Sequence, residues 1–143
     1  MNSRTKILAI IDEHENGKEI AENIERVIRS WKDPEIYLLY VVDLSYLPPD
    51  IFASLDKKFY DKLRKKGSKV LNEVINELKD KRLNVKRADM YFGLAAEGIL
   101  RYEREIKPDI IVIHERKTAI RKTIKGLPAV VLAKSKAPVF ISG

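Results

Sequence analysis

Four short runs in this chain, KILAIID (6–12), EIYLLYVVD (35–43), DIIVI (109–113) and APVFIS (137–142), are apolar at almost every position, and helix-patterned segments separate them. A strand with one wet face alternates apolar and polar residues. A continuous run requires cover on both faces, which is the environment of a central strand in a parallel sheet. The segment between the first two runs, NGKEIAENIERVIRSW, sets Ile20, Ile24, Val27, Ile28 and Trp31 three and four residues apart, with Asn16 in position to cap a helix. The chain therefore opens β-α-β, a parallel pair joined by a right-handed crossover.

The same alternation continues to the end. DLSYLPPDIFASLD reads as a loop through Pro48 and Pro49, with Tyr46, Leu47, Ile51 and Phe52 expected to pack over the end of the sheet. A long helix is predicted over roughly 50–80. In its KKFYDKLRKKGSK stretch (57–69) and just beyond it, Phe59, Leu63, Val70 and Leu71 keep helical spacing among lysines, giving an amphipathic helix with a basic outer face. NVKRADMYF (84–92) alternates only partly, as an edge strand does, and Gly93 closes it. LAAEGILRYEREI supplies another helix through Ala95, Ile99 and Ile106, and a short helix follows Pro128 before the last strand. Five strands alternating with four helices predict an α/β fold: a doubly wound, mostly parallel sheet with helices on both faces. Ligands in such folds bind beyond the carboxyl ends of the strands, where strand order reverses. Asp12, the stretch Val41 to Asp43, and the residues after 113 are therefore the ones to examine.

A chain of 143 residues is expected to form a single domain, 1–143, with one core. Its apolar runs are too short to span a bilayer, and the polar start MNSRTK is unlike a signal peptide, so a cytoplasmic protein is expected. The absence of cysteine excludes disulfides and thiol chemistry. His14 and His114 are too far apart in sequence to form a local ligand pair, so no metal is expected. The net charge of +7 attracts anions in general. Nonspecific nucleic-acid binding by 57–69 and 116–125 is one reading of it, but neither stretch carries interleaved exposed aromatics or a recognised motif, and solvated helix faces account for most of the charge.

The order and spacing of several pieces resemble the universal stress protein family over essentially the whole chain. The pieces are KILAIID, LLYVVD, FGLAAEGIL at the entry to the third crossover helix, PDIIVI, and the closing GLPAVVLAKSKAPVFI; Ala95 stands where the family often has proline. The resemblance implies a sheet in the order 3-2-1-4-5 and a homodimer made by the last strand, through Pro138, Val139, Phe140 and Ile141. An apolar final strand left unpaired at a sheet edge would be a liability, which agrees.

Family members that bind ATP carry Gly-x2-Gly-x9-Gly-[Ser/Thr] after the fourth strand, where glycines let main-chain N–H groups approach the phosphates. Here the first glycine position falls on His114 and the second on Lys117. Gly126 survives one residue early, Leu127 replaces the hydroxyl, and Pro128 removes a backbone donor. The floor of the site remains: Asp12 matches the acid near the ribose and adenine of nucleotide-binding relatives, and Val41 or Val42 the main chain that meets the base. The resemblance thus implies a non-enzymatic stress-response or regulatory dimer, partnered by itself and by an unidentified protein, and without tight ATP binding. The alternative is an ATP, AMP or other anion site in which Arg116, Lys117, Arg121, Lys122 and Lys125 of the loop 114–126 replace the backbone donors. Catalysis has little support, because His114 has no orienting group apart from Asp12 across the cleft, and the chain lacks a nucleophile elbow, a Walker motif and GxGxxG.

Overall fold

The computed structural model describes residues 4–12, 16–29, 31–114 and 134–142. The elements run β1 (Thr5–Asp12), α1 (Gly17–Ile28), β2 (Pro34–Asp43), α2 (Pro49–Ala53), α3 (Lys57–Asp80), β3 (Val85–Gly93), α4 (Ala95–Ile106), β4 (Ile110–His114) and β5 (Val139–Ser142). All strand pairings are parallel, in the order β3-β2-β1-β4-β5, as expected. The short helix predicted after Pro128 lies outside the described residues.

Burial explains the apolar runs. Along β1, Ile7, Ala9 and Ile11 face a cluster with Ile20, Ile24 and Ile28 of α1 and Val70, Val74 and Leu78 of α3. The alternate residues Leu8 and Ile10 face a second cluster with Ala95, Ile99, Tyr102 and Ile106 of α4. Because side chains alternate across a strand, only an unbroken apolar sequence can serve both layers. Asn16 caps α1 as its sequence suggested, its side chain accepting from the N–H groups of Lys18 at 2.9 Å and Glu19 at 3.2 Å.

Two expectations need correction. The helix over 50–80 is broken: α2 stops at Ala53, and α3 starts after Asp56, whose carboxylate accepts the N–H of Phe59 at 3.0 Å. Asp56 begins a fresh helix because its side chain offers that N–H a partner the continuing backbone would otherwise supply. Of the four loop residues expected to cover the sheet, Leu47 and Phe52 do so, while Tyr46 and Ile51 are 60% and 45% exposed. With α2 only five residues long, its one inward face is taken by Phe52.

Helix α4 is fixed against the sheet at several points. At its N-terminus no side chain of Leu94 caps it; instead the buried Asp43 carboxylate, at the end of β2, accepts the N–H of Ala95 at 3.3 Å and of Ser45 at 3.2 Å. A negative group there also complements the helix dipole. Midway, Gly98 lies flat against the Tyr91 ring: a Cβ at that position would stand 2.2 Å from Tyr91 Cδ2. Further along, the Tyr102 phenol donates to Asp89 of β3, and Arg87, stacked 5.2 Å from the ring centroid, pairs with Asp89 at 2.7 Å and with Glu105. Burial, and then the bond to Asp89, raise the Tyr102 pKa well above tyrosine's ordinary value, so the phenol remains a neutral donor.

Gly98→Ala is expected to destabilise the protein by about 1–3 kcal/mol in urea denaturation, because overpacking against a ring outweighs the ~1 kcal/mol that alanine gains over glycine in a helix. Asp43→Ala is expected to cost about 1–3 kcal/mol by leaving a buried N–H without its acceptor, and Asp43→Asn, which keeps an oxygen there, to cost less.

Candidate functional site

Strand order reverses between β1 and β4: the chain moves outward through β2 to β3, then returns across the sheet by α4 to β4 on the other side of β1. The carboxyl ends of β1, β2 and β4 therefore meet at one end of the sheet, which is where a doubly wound fold holds its ligands. The register places Asp12 beside Val41, and Ile10 of β1 beside Ile113, one residue before His114. Val42 and Asp43 pair in turn with Phe92 and Gly93.

Asp12 is 7% exposed, and Val41 and Val42 are buried on opposite faces of the sheet, Val41 against the α4 layer and Val42 against the α1 and α3 layer. The cap of α1 is Asn16, so that helix does not need Asp12 as its capping residue. An acid and a buried apolar strand end thus stand side by side at the carboxyl end of the sheet. His114 closes β4, in register with Ser142 of β5. Arg116, Lys117, Gly126 and Leu127, together with the other loop cations, lie outside the described residues.

Asp43 is the residue of this end whose role the sequence did not disclose. Its carboxylate oxygen is engaged by two main-chain N–H groups, one of them at the start of α4, so it closes that helix terminus to an incoming anion. The acid at the end of LLYVVD was the available signal; the identity of its partner, 52 residues away, was not.

At the outer edge β5 pairs only with β4 among the described residues. Pro138 is exposed, Val139 packs on the α4 cluster, and Phe140 is 44% exposed; Ile141 continues the strand. On the opposite side of the molecule, Lys57, Lys58, Lys62, Lys65, Lys66 and Lys69 are exposed along α3, so the basic outer face is present. Among the described residues no group of acidic or histidine side chains could hold a metal, and no helix is long and apolar enough to cross a membrane.

Comparison with known proteins agrees with this geometry. No curated protein matches the chain significantly. Among solved structures, the hypothetical protein MJ0577 is similar, with a TM-score of 0.74 and 22% identity over 99% of this chain and 96% of that one. A universal stress protein family protein from Arabidopsis thaliana, At3g01520 with AMP bound, gives 0.66 and 19% over 96% and 90% of the two chains. The universal stress protein from Archaeoglobus fulgidus in complex with dAMP gives 0.57 and 12% over 99% and 98%. These likenesses concern the fold. The model of the universal stress protein family matches residues 3–142, and the chain belongs to that family.

Proposed function

We propose that the chain is a single-domain, cytoplasmic, homodimeric universal stress protein that acts as a non-enzymatic regulatory module and does not depend on tight ATP binding. The observation that carries this reading is the loop after β4. Histidine and lysine occupy the first two positions where a phosphate cradle needs glycine, and leucine stands in place of the hydroxyl. A Cβ at such positions keeps main chain from closing on phosphate and disfavours positive φ. The half-exposed Phe140 on the edge strand β5 supports the dimer, since a second copy would cover Pro138, Val139, Phe140 and Ile141.

A second reading keeps the nucleotide. The AMP and dAMP complexes of its structural neighbours favour it, as does the assembled floor of Asp12, Val41 and Val42. In that case Arg116, Lys117 and the neighbouring cations would grip the phosphates through side chains, with His114, Gly126 and Leu127 bordering them. The cost is the rotamer entropy of ordering long side chains around a ligand.

Melting temperatures with and without ATP, AMP and inorganic phosphate, at two salt concentrations, separate the readings. The first expects no shift, or one that phosphate reproduces and salt removes. A salt-resistant shift specific to adenine nucleotides and abolished by Lys117→Ala would establish the second. The dimer is expected by light scattering at micromolar concentration, and a monomer under those conditions refutes it.

A further inference from the structure

At the other end of the sheet, below the amino ends of β4 and β5, lies a cavity of about 600 Å³. It opens between the last turn of α4 and the segment that leads into β5. Pro108 and Asp109, just before β4, and Pro138, just before β5, form part of its wall. All strands are parallel, so this cavity is at the opposite end of the sheet from Asp12 and Val41. Its size falls within the ~300–1,000 Å³ usual for small-molecule sites.

The charges around it are unequal. Arg104, Lys107, Lys134 and Lys136 line the cavity, and none of them makes an ion pair with a described residue. Two carboxylates, Glu103 and Asp109, also line it, but both are engaged. Glu103 is 6% exposed and uses one oxygen to accept the N–H groups of Lys136 at 3.0 Å and Ala137 at 2.7 Å and the Ser135 hydroxyl at 2.9 Å. Asp109 accepts the N–H of Lys6 at 2.7 Å. The acids therefore build the wall, holding the turn at 135–137 against α4 and β4 against β1, while the cations remain available.

Lys107 joins α4 to the approach of β4. It ends α4 in the left-handed conformation, at φ 52° and ψ 62°, where glycine is the usual residue because a Cβ is disfavoured. Pro108 follows and itself favours an extended predecessor. The Lys107 N–H closes the helix on the Glu103 carbonyl, an αL cap of the kind that Arg82 also adopts after α3, and the turn brings the lysine to the cavity wall beside Pro108.

We propose that this cavity binds a small phosphate monoester, with Arg104, Lys107, Lys134 and Lys136 gripping the phosphate. The cations exceed the two carboxylates by two, which matches the near −2 charge of a monoester at neutral pH. Arg104 supplies a planar fork and the lysines supply point charges. Leu100, Ala137 and the rings of Pro108 and Pro138 offer the rest of the molecule an apolar wall.

Calorimetric titration with phenyl phosphate in about 0.15 M salt tests the proposal, with inorganic phosphate and phenol as the two halves of the probe. Saturable binding at ~1 mM or tighter is expected, tighter than either half. The double change Arg104→Gln with Lys107→Gly should weaken it at least about tenfold. Glycine relieves the left-handed strain at 107, so this variant keeps its fold and a lost signal cannot be blamed on unfolding. The pair Lys57→Gln and Lys58→Gln on α3, equal in charge removed, should leave binding intact. Absence of saturable binding overturns the proposal. So does equal weakening by the α3 pair, which would mean a general field.

Discussion

The pairing of β1 with β2, closed on both faces by helices, is the constraint from which the rest of this structure follows. Eight residue pairs run in register from Thr5 with Pro34 to Asp12 with Val41. From Ile7 to Asp12 and from Ile36 to Asp43 every residue is buried. In that environment each main-chain N–H and C=O must find its partner in the ladder, and a polar side chain in mid-strand would pay a desolvation cost with nothing to offset it. Charged side chains of these two strands are thereby confined to their ends, while within β2 Tyr37 and Tyr40 bring hydroxyls on otherwise apolar rings. Asp12 and Asp43 are the last residues of their strands, and they are two of the four buried polar side chains among the described residues.

Two of those four also explain how α4 keeps its place. Asp43 takes the N-terminal N–H of Ala95, where the helix dipole favours a negative charge. Glu103 stands near the other end, where the dipole opposes one, and its burial there is offset by two main-chain N–H groups and a hydroxyl from the 135–137 turn. Lys6, whose ammonium donates to the Ile106 carbonyl at 3.3 Å, relieves the exposed C-terminal carbonyls. The helix that returns the chain across the sheet is thus tied to β2 at its start and to the entry of β5 at its end. Both the strand-end floor and the cavity under β4 and β5 inherit their shape from those ties.

Much of this was legible from residue types, and the exceptions have physical reasons. Continuous apolar runs identified β1, β2 and β4 because double burial leaves no other pattern, and partial alternation identified β3 as an edge, whereas the equally apolar β5 is an edge strand with Phe140 exposed. The break between α2 and α3 was hidden because apolar residues continue at helical spacing through it; only the bond from Asp56 to Phe59 N–H decides it. Positions 12, 41 and 42 could be placed at the switch point because strand ends follow from strand extents. The Glu103 bridge could not, since its partners lie 32 to 34 residues away and the helix reads as RYEREI, an apparently solvated face. Its spacing from Ile99, Tyr102 and Ile106 was the signal: a glutamate on the buried stripe of a helix needs donors from elsewhere in the fold.

The excess of positive charge takes on different meanings in different parts of the fold. Along α3 the lysines project into water from a helix whose other face is core, and Lys57 pairs with Asp61 at a surface i,i+4 spacing. Charges of that kind are screened beyond about 8–10 Å at physiological salt and raise encounter rates more than they define a partner. Cations around a concave wall act differently, because the protein excludes part of the screening solvent and several charges face one volume. Glu103 and Asp109 offset two of the four positive charges there, but they direct lone pairs to backbone N–H groups and form no ion pair with those cations. The same residues that fix the entries to β4 and β5 therefore leave an excess of two positive charges around the cavity, with its cations free of ion pairs to described residues, so local stability and local positive potential meet in one arrangement.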